Sequence, residues 1–304
     1  MRVGISVQSV YAVSDVREGA RRMVERARAA NAAGLDSLFV GDHHAVPIPY
    51  YQNTAILGRM LAEWGERPAG ALYLLPLWHP LIVAEQVGTL ASIARGRFVL
   101  QCAIGPAGGP MGQFPAMGVL AAERTSRFEE SLDILRRLFA GETVSSDAHY
   151  RMTGARIAPL PPEPVEVWIG GTAPPAIRRA ARLGDGWLAA PDFGLEKAQR
   201  QIDLYREACD RLARPVGVRA IRRDVHVGAT AEEARAAAAP VLEAGYRGFP
   251  PDAAVVGSPE QVAATFRDLG QMGYDEILVR HLVQDQGTVL SSIERLADVK
   301  SLLA

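Results

Sequence analysis

Cysteine is scarce. The chain of 304 residues has two, Cys102 and Cys209, which form no spaced metal motif, so reduced and buried thiols are expected rather than a disulfide framework. No charge sign prevails either. The 33 basic and 34 acidic residues leave a formal net charge of −1, nothing favours a polyanion, and nucleic acid is not an expected partner. Long apolar runs are missing. The longest, such as residues 70–77, are far too short to span a bilayer, so no membrane partner is expected. The start, one Arg followed by Val3-Gly4-Ile5-Ser6-Val7, lacks the apolar stretch and small-residue cleavage site of a secretory signal, and a cytoplasmic location is the default expectation. There is no HExxH among the six histidines, His43, His44, His79, His149, His226 and His281.

What is abundant is apolar material, 48% of the residues, arranged as short apolar runs alternating with longer amphipathic ones. Strands are predicted at 2–7, 37–40, 69–75, 98–104, 165–169, 186–189, 218–227 and 276–280. Helices are predicted at 15–33, 53–64, 81–93, 121–139, 175–183, 195–212, 231–244 and 259–272, with a further one at the C-terminus. Gly34 follows the first helix as a C-terminal cap does. Most of the strands are apolar on both faces, as parallel strands wrapped by helices must be. Eight such units predict one α/β domain over residues 1–304, a (β/α)₈ TIM-type barrel. An open doubly wound sheet would show a Gly-rich turn after its first strand, whereas Gly4 lies inside that strand and Gln8-Ser9-Val10-Tyr11 follows it.

Three segments break the rhythm and are expected as insertions outside the strands. Residues 105–118 hold five glycines and three prolines, residues 141–164 read as a hairpin excursion, and residues 246–257 read as a Pro/Gly-rich loop. The first follows the C-terminal end of a strand, where barrel active sites are built.

The sharpest local feature is Gly41-Asp42-His43-His44 after the second strand. It is either a solvated polar loop or a proton-transfer site, since histidine titrates near neutral pH and an adjacent carboxylate orients it. The second feature is Gly170-Gly171-Thr172 followed by Ala173-Pro174-Pro175. Glycines admit an anion to the backbone and a helix N-terminus favours it, with Thr172 in position to cap the helix. The plain alternative is a tight strand-to-helix turn. Arg280-His281 ends the last strand and has the chemistry to hold an anionic substrate group, or to make a surface salt bridge. A metal-dependent hydrolase built on His43, His226 and His281 would rest on no motif, and no metal is expected.

Several ordered blocks carry a resemblance. They are Gly34-Leu-Asp-Ser-Leu-Phe-Val-Gly-Asp-His-His44, Leu74-Leu-Pro-Leu-Trp-His-Pro80 running into Ala84-Glu-Gln-Val-Gly-Thr-Leu90, and Gly96-Arg-Phe-Val-Leu100. Arg127-Phe-Glu-Glu-Ser-Leu-Asp-Ile-Leu135, Val167-Trp-Ile-Gly-Gly-Thr172 and Ala180-Ala-Arg-Leu-Gly-Asp-Gly-Trp187 complete the set. Together they resemble the luciferase-like monooxygenase family, the flavin- and deazaflavin-dependent oxidoreductases of the bacterial luciferase type. The resemblance covers roughly residues 30 to 190.

It implies a (β/α)₈ barrel holding FMN or the deazaflavin coenzyme F-420 at its mouth, in an assembly that is often a homodimer. It further implies that Asp42 and His43 contact the tricyclic ring, with His43 or His44 assisting proton transfer. Leu72 and Tyr73 would lie along the ring, at a point where deazaflavin members have a non-prolyl cis peptide. Gly105 would approach the ring or ribityl chain, and Gly170, Gly171 and Thr172 would take the phosphate. Leu75, Trp78, Ala103 and Ile104 are the expected apolar lining. One departure stands out: relatives often carry an aromatic and an acidic residue after the fourth strand, and Gly105-Pro-Ala-Gly-Gly-Pro110 has neither. The function implied is hydride transfer to, or oxygenation of, a small organic substrate. A flavin-binding protein without turnover is the other reading within the resemblance.

Overall fold

A computed structural model of the chain describes residues 1–106 and 112–304. The expectation that residues 105–118 form one loop therefore falls partly outside the described residues. The elements run β1 (Arg2–Val7), α1 (Val16–Ala32), β2 (Leu38–Val40), α2 (Asn53–Met60), β3 (Ala69–Leu74), α3 (Pro80–Ile93) and β4 (Phe98–Ala103). Next come α4 (Gln113–Ala116), α5 (Arg124–Phe139), β5 (Val144–Ser146), β6 (Met152–Ala155), β7 (Glu166–Gly170), α6 (Pro174–Leu183), β8 (Gly186–Ala189) and α7 (Leu195–Arg211). The chain ends with β9 (Val218–Val227), α8 (Ala231–Glu243), β10 (Ala254–Gly257), α9 (Pro259–Met272), β11 (Glu276–His281) and α10 (Gln286–Leu303).

Eight parallel strands close on themselves in the order β1-β2-β3-β4-β7-β8-β9-β11, the predicted barrel. Period-two alternation sorts their side chains. Phe39, Val99, Trp168, Ala220 and Leu278 fill the barrel interior. Their neighbours Leu38, Leu100, Ile169, Ile221 and Ile277 face outward into the layer shared with the helices. Inside, Phe39 packs on Trp168 with ring centroids 5.4 Å apart. That packing needs Gly70, where a Cβ would stand 2.0 Å from the Val99 carbonyl oxygen and 2.8 Å from the Phe39 ring. Helix starts follow local chemistry: the Asp15 side chain caps α1, and Ser258 with Gln261 forms a capping box on α9.

Several expectations hold in detail. Residues 141–164 contain the antiparallel β5–β6 hairpin, Gly34 takes φ +70° after α1, and both cysteines are free and buried. Others need correction. The loop expected at 246–257 ends in β10, which pairs in parallel with the upper half of β9 while β8 pairs with its lower half. Four apolar residues between a Pro-Pro turn and a Gly-Ser-Pro turn are too few to announce a strand. Thr172 does not cap α6. The cap is Ala173, with no side-chain hydrogen bond, because the helix begins one residue later at Pro174. No cis peptide lies at Leu72–Tyr73–Leu74; among the described residues the cis bond is Ala158–Pro159. No helix among the described residues is long and apolar enough to cross a membrane.

Candidate functional site

The C-terminal ends of the strands enclose a cavity of about 350 Å³, within the range of small-molecule sites, about 300–1,000 Å³. Its walls mix apolar surface (Val7, Val40, Leu72, Leu188, Leu278) with polar groups from Ser6, Gln8, Ser9, His43 and Gln101. Arg222, Arg247 and Arg280 also open onto it. The segment after β2 and the segment before β10 supply the rim through Ile48, Tyr50 and Tyr246.

The run after β2 splits its three polar side chains among different tasks. Asp42 is 1% exposed. Its Oδ2 accepts the Leu74 backbone N–H at 2.7 Å and the Trp78 indole N–H at 2.8 Å. Its Oδ1 lies 3.3 Å from His44 Nε2. The carboxylate thus ties β2 to the end of β3. His43 lines the cavity, edge-on to Tyr50 with centroids 5.8 Å apart. His44 turns the other way, against Trp78 at 5.1 Å, as neighbours on an extended chain must. Ala45 follows with φ +52°, a left-handed conformation uncommon for a residue with a Cβ. Burial pushes the His43 pKa below its ordinary value. The Gln113 side chain and Asp42 favour the charged form, and Arg280 and Arg247 oppose it. The imidazole is therefore neutral at pH 7 and able to accept a proton.

The remaining expected residues divide by strand parity. Leu72 faces the cavity, whereas Tyr73 points outward, fully buried, with its hydroxyl 2.9 Å from Thr54 Oγ1. Leu75 is likewise buried in the outer layer, away from the cavity lining. Arg280 faces the cavity, and His281 points away into the core, its Nε2 3.1 Å from Ser292 Oγ. Burial drives the His281 pKa down to about 3. Gly105 sits at the end of β4 with φ +71°, close under the Phe114 ring, and does not line the cavity.

Gly170, Gly171 and Thr172 lie at the same end of the barrel but outside the cavity lining. The Gly171 N–H donates to the Leu188 carbonyl at 3.2 Å and the Gly171 carbonyl accepts the Trp187 indole N–H at 2.8 Å. A Cβ on Gly171 would stand 2.5 Å from Ala176 Cβ, so glycine here lets α6 approach β7. Pro174 and Pro175 remove two of the N–H groups that a helix start offers an anion. The turn shares the mouth with His43 without sharing the cavity's walls.

Sequence reading missed the charged centre of the site. Arg222 and Asp224 face inward two residues apart on β9, with Arg222 Nε 3.1 Å from Asp224 Oδ1. Tyr246 donates its hydroxyl to Asp224 Oδ2 at 2.9 Å, and Arg247 Nη1 lies 3.4 Å from the same oxygen. Burial raises the Asp224 pKa, but Arg222, Arg280, Arg247 and the Tyr246 hydroxyl outweigh it and hold the carboxyl below its ordinary range. Burial lowers Arg222 to about 10 against the pull of Asp224. The available signal was a charged pair at i, i+2 within an otherwise buried strand; Tyr246 and Arg247, in a loop, gave none.

The residues at the cavity fit a flavin-like ring. Ser9 Oγ, His43 Nδ1 and Gln101 Nε2 are buried without a hydrogen-bond partner, on residues that line the cavity together with the aliphatic side chains of Leu72, Leu188 and Leu278. A broad apolar slot with a few placed polar atoms is what such a ring requires. Among the described residues no three His, Cys, Asp or Glu side chains are grouped as a metal site. His43, His226 and His281 do not converge.

Comparison with known proteins agrees with the fold. The profile of the luciferase-like monooxygenase family matches residues 1–254. The F420-dependent glucose-6-phosphate dehydrogenase of Intrasporangium calvum is 30% identical over 60% of this chain and 58% of its own. The matches span about three-fifths of the length of such curated relatives, 58%, 63% and 64% in three of them. Among solved structures, monooxygenase RslO1 from Streptomyces bottropensis superposes with a TM-score of 0.82 at 20% identity, covering 98% of both chains. The oxygenating constituent of 3,6-diketocamphane monooxygenase from Pseudomonas putida, in complex with FMN, gives 0.80 at 19% identity over 98% of this chain and 97% of that one. At those identities the two structures speak to the fold.

Proposed function

This chain belongs to the luciferase-like monooxygenase family, and on that premise we propose that it is an oxidoreductase working with reduced coenzyme F-420 or FMN on a small organic substrate. The observation that carries the reading is the mouth cavity, where His43, Ser9 and Gln101 present unpartnered polar atoms between aliphatic walls. Bound there, the cofactor would supply the hydride, or with FMN the activation of oxygen; the protein's part is orientation and proton management.

Leu72, Leu188 and Leu278 give the ring an apolar bed, and Ser9 and Gln101 give it polar contacts. His43, kept neutral at rest by burial, would exchange a proton with the substrate, the neutral ring accepting one released on oxidation and the ring charged from solvent returning one on reduction. Asp42 keeps its place by fixing Leu74 and Trp78 around the site. Gly105 and the Gly170–Thr172 turn remain the proposed contacts for the cofactor's chain and phosphate, at the rim rather than in the cavity. The 30% identity to a protein named as F420-dependent favours the deazaflavin, and a homodimer is the proposed assembly.

Anaerobic titration of the purified protein with each reduced cofactor tests this. Micromolar or tighter binding of F-420 is the expected result. Binding of FMN alone would reverse the preference between cofactors, and binding of neither would remove the proposal.

A further inference from the structure

We propose that Arg222, Arg247 and Arg280 form an anion subsite within the cavity, and that the substrate of the reaction proposed above carries a carboxylate or phosphate that docks there. The inference rests on that reading of the cavity as an active site and adds the substrate's chemical class.

The charge balance is the starting point. Three guanidinium groups open onto one cavity, and the carboxylate set among them is Asp224, 1% exposed. Asp224 already engages Arg222 at 3.1 Å and Arg247 at 3.4 Å. Arg280 has no ion-pair or hydrogen-bond partner among the described residues, although Asp224 stands opposite it in register on the adjoining strand β9 and feels its charge. The other carboxylate, Asp42, also lines the cavity, its Oδ2 accepting the Leu74 and Trp78 N–H groups. Three guanidinium groups against two carboxylates leave one positive charge over, beside aliphatic walls where the arginines repel one another more strongly than in water. A bound anion relieves that repulsion. Arginine forks match carboxylate and phosphate oxygens in a way that chloride or a neutral group does not reproduce.

Position supports a substrate rather than a structural ion. In the closed order of strands, β11 with Arg280 is separated from β2 with His43 by β1 alone. Arg280 and Arg247 both act on the His43 imidazole, so a group held by the arginines sits beside the proposed proton carrier. The Gly170–Gly171 turn lies at the end of β7, across β8 and β9 from Arg280, which separates the subsite from the turn proposed for the cofactor's phosphate. Arg247 and Tyr246 arrive on the segment between α8 and β10, where Arg247 takes φ +51°. The third guanidinium is therefore placed by a turn held to Asp224, not by the barrel wall.

Calorimetric titration with malonate, inorganic phosphate and neutral malonamide, on cofactor-free and cofactor-loaded protein, tests the subsite. Malonate and phosphate are expected to bind both forms and malonamide neither. Arg280→Gln leaves no native ion pair broken among the described residues, so the variant is expected to fold, to bind malonate at least tenfold more weakly, and to keep its cofactor affinity within twofold. Asp224→Asn, which frees Arg222 and Arg247 from their carboxylate, is expected to tighten malonate severalfold. Equal binding of malonate and malonamide, or unchanged binding in Arg280→Gln, overturns the proposal. So does loss of malonate binding on cofactor loading together with weakened FMN but unchanged riboflavin affinity in Arg280→Gln, since the arginines would then hold the cofactor's own phosphate. If neither cofactor binds the wild-type protein while malonate does, the subsite stands and the functional reading falls.

Discussion

Asp42 accepts the indole N–H of Trp78 at 2.8 Å, across 36 residues of sequence, and so fastens the end of β2 to the turn after β3. The carboxylate of the most conspicuous polar run in the sequence serves first to hold the wall of the site. Its other contacts, the Leu74 N–H on Oδ2 and His44 beside Oδ1, point the same way. Removing it leaves two buried donors unpaired. Asp42→Ala is therefore expected to cost about 2–6 kcal/mol, at roughly 1–3 kcal/mol per unsatisfied group. Asp42→Asn, which keeps one acceptor oxygen, should cost less. Urea unfolding of both variants checks this, and an Asp42→Ala protein within about 0.5 kcal/mol of wild type contradicts the tie.

The two adjacent histidines should separate in experiment. His43 opens on the cavity and His44 packs against Trp78. His43→Gln is expected to lower turnover by about 10²–10⁴-fold, the range of a lost general acid–base group, with little change in melting temperature. His44→Ala should lose stability first and much less activity. Equal losses of kcat in both variants would reject the division of roles.

Arg280 should also be visible in the pH profile. Burial is the main reason that His43 is hard to protonate, and the positive charges of Arg280 and Arg247 add to it. Removing Arg280 takes away a charge that disfavours imidazolium, so Arg280→Gln raises the His43 pKa toward its ordinary value near 6.5. The acidic limb of the kcat/KM profile should move to higher pH, and a limb that stays put or moves down would contradict the assigned neighbourhood.

His281 makes a stability prediction. Its folded pKa is depressed to about 3 by burial, against about 6.5 in the unfolded chain. Between those values the unfolded state binds the extra proton. The stability that depends on a neutral His281 is complete above about pH 6.5 and is lost as pH falls toward 3, by at most about 1.4 kcal/mol per pH unit. His281→Gln should flatten this slope by up to one proton between pH 6 and 4.5 in denaturant titrations. An unaltered slope would mean that the ring is not held neutral by burial.

Legibility in the sequence followed the periodicity of burial. The eight barrel strands stood out because most are apolar on both faces and bounded by helices, and β8 and α9 match the expected ranges, 186–189 and 259–272. β10 did not stand out because four residues between proline turns carry no period. At the site, the Asp42-His43-His44 run and Arg280 were legible as polar groups at strand ends. Which of them face the cavity was not, because a one-residue difference in parity sends His43 and Arg280 inward and His44, Tyr73 and His281 outward. Arg247 meets the Arg222–Asp224 pair only in space, 23 residues beyond Asp224.

Local pattern alone determined the architecture of this protein: hydrophobic runs of fixed length can satisfy their backbones and bury both faces in few ways, and a closed parallel barrel is one of them. Closure of the barrel decided the rest. It set Arg280 near Asp224, placed His43 one strand beyond β1, and left the Gly170–Gly171 turn at the rim. Those distances depend on the register between strands far apart in the chain, and no stretch of residues read singly contains them.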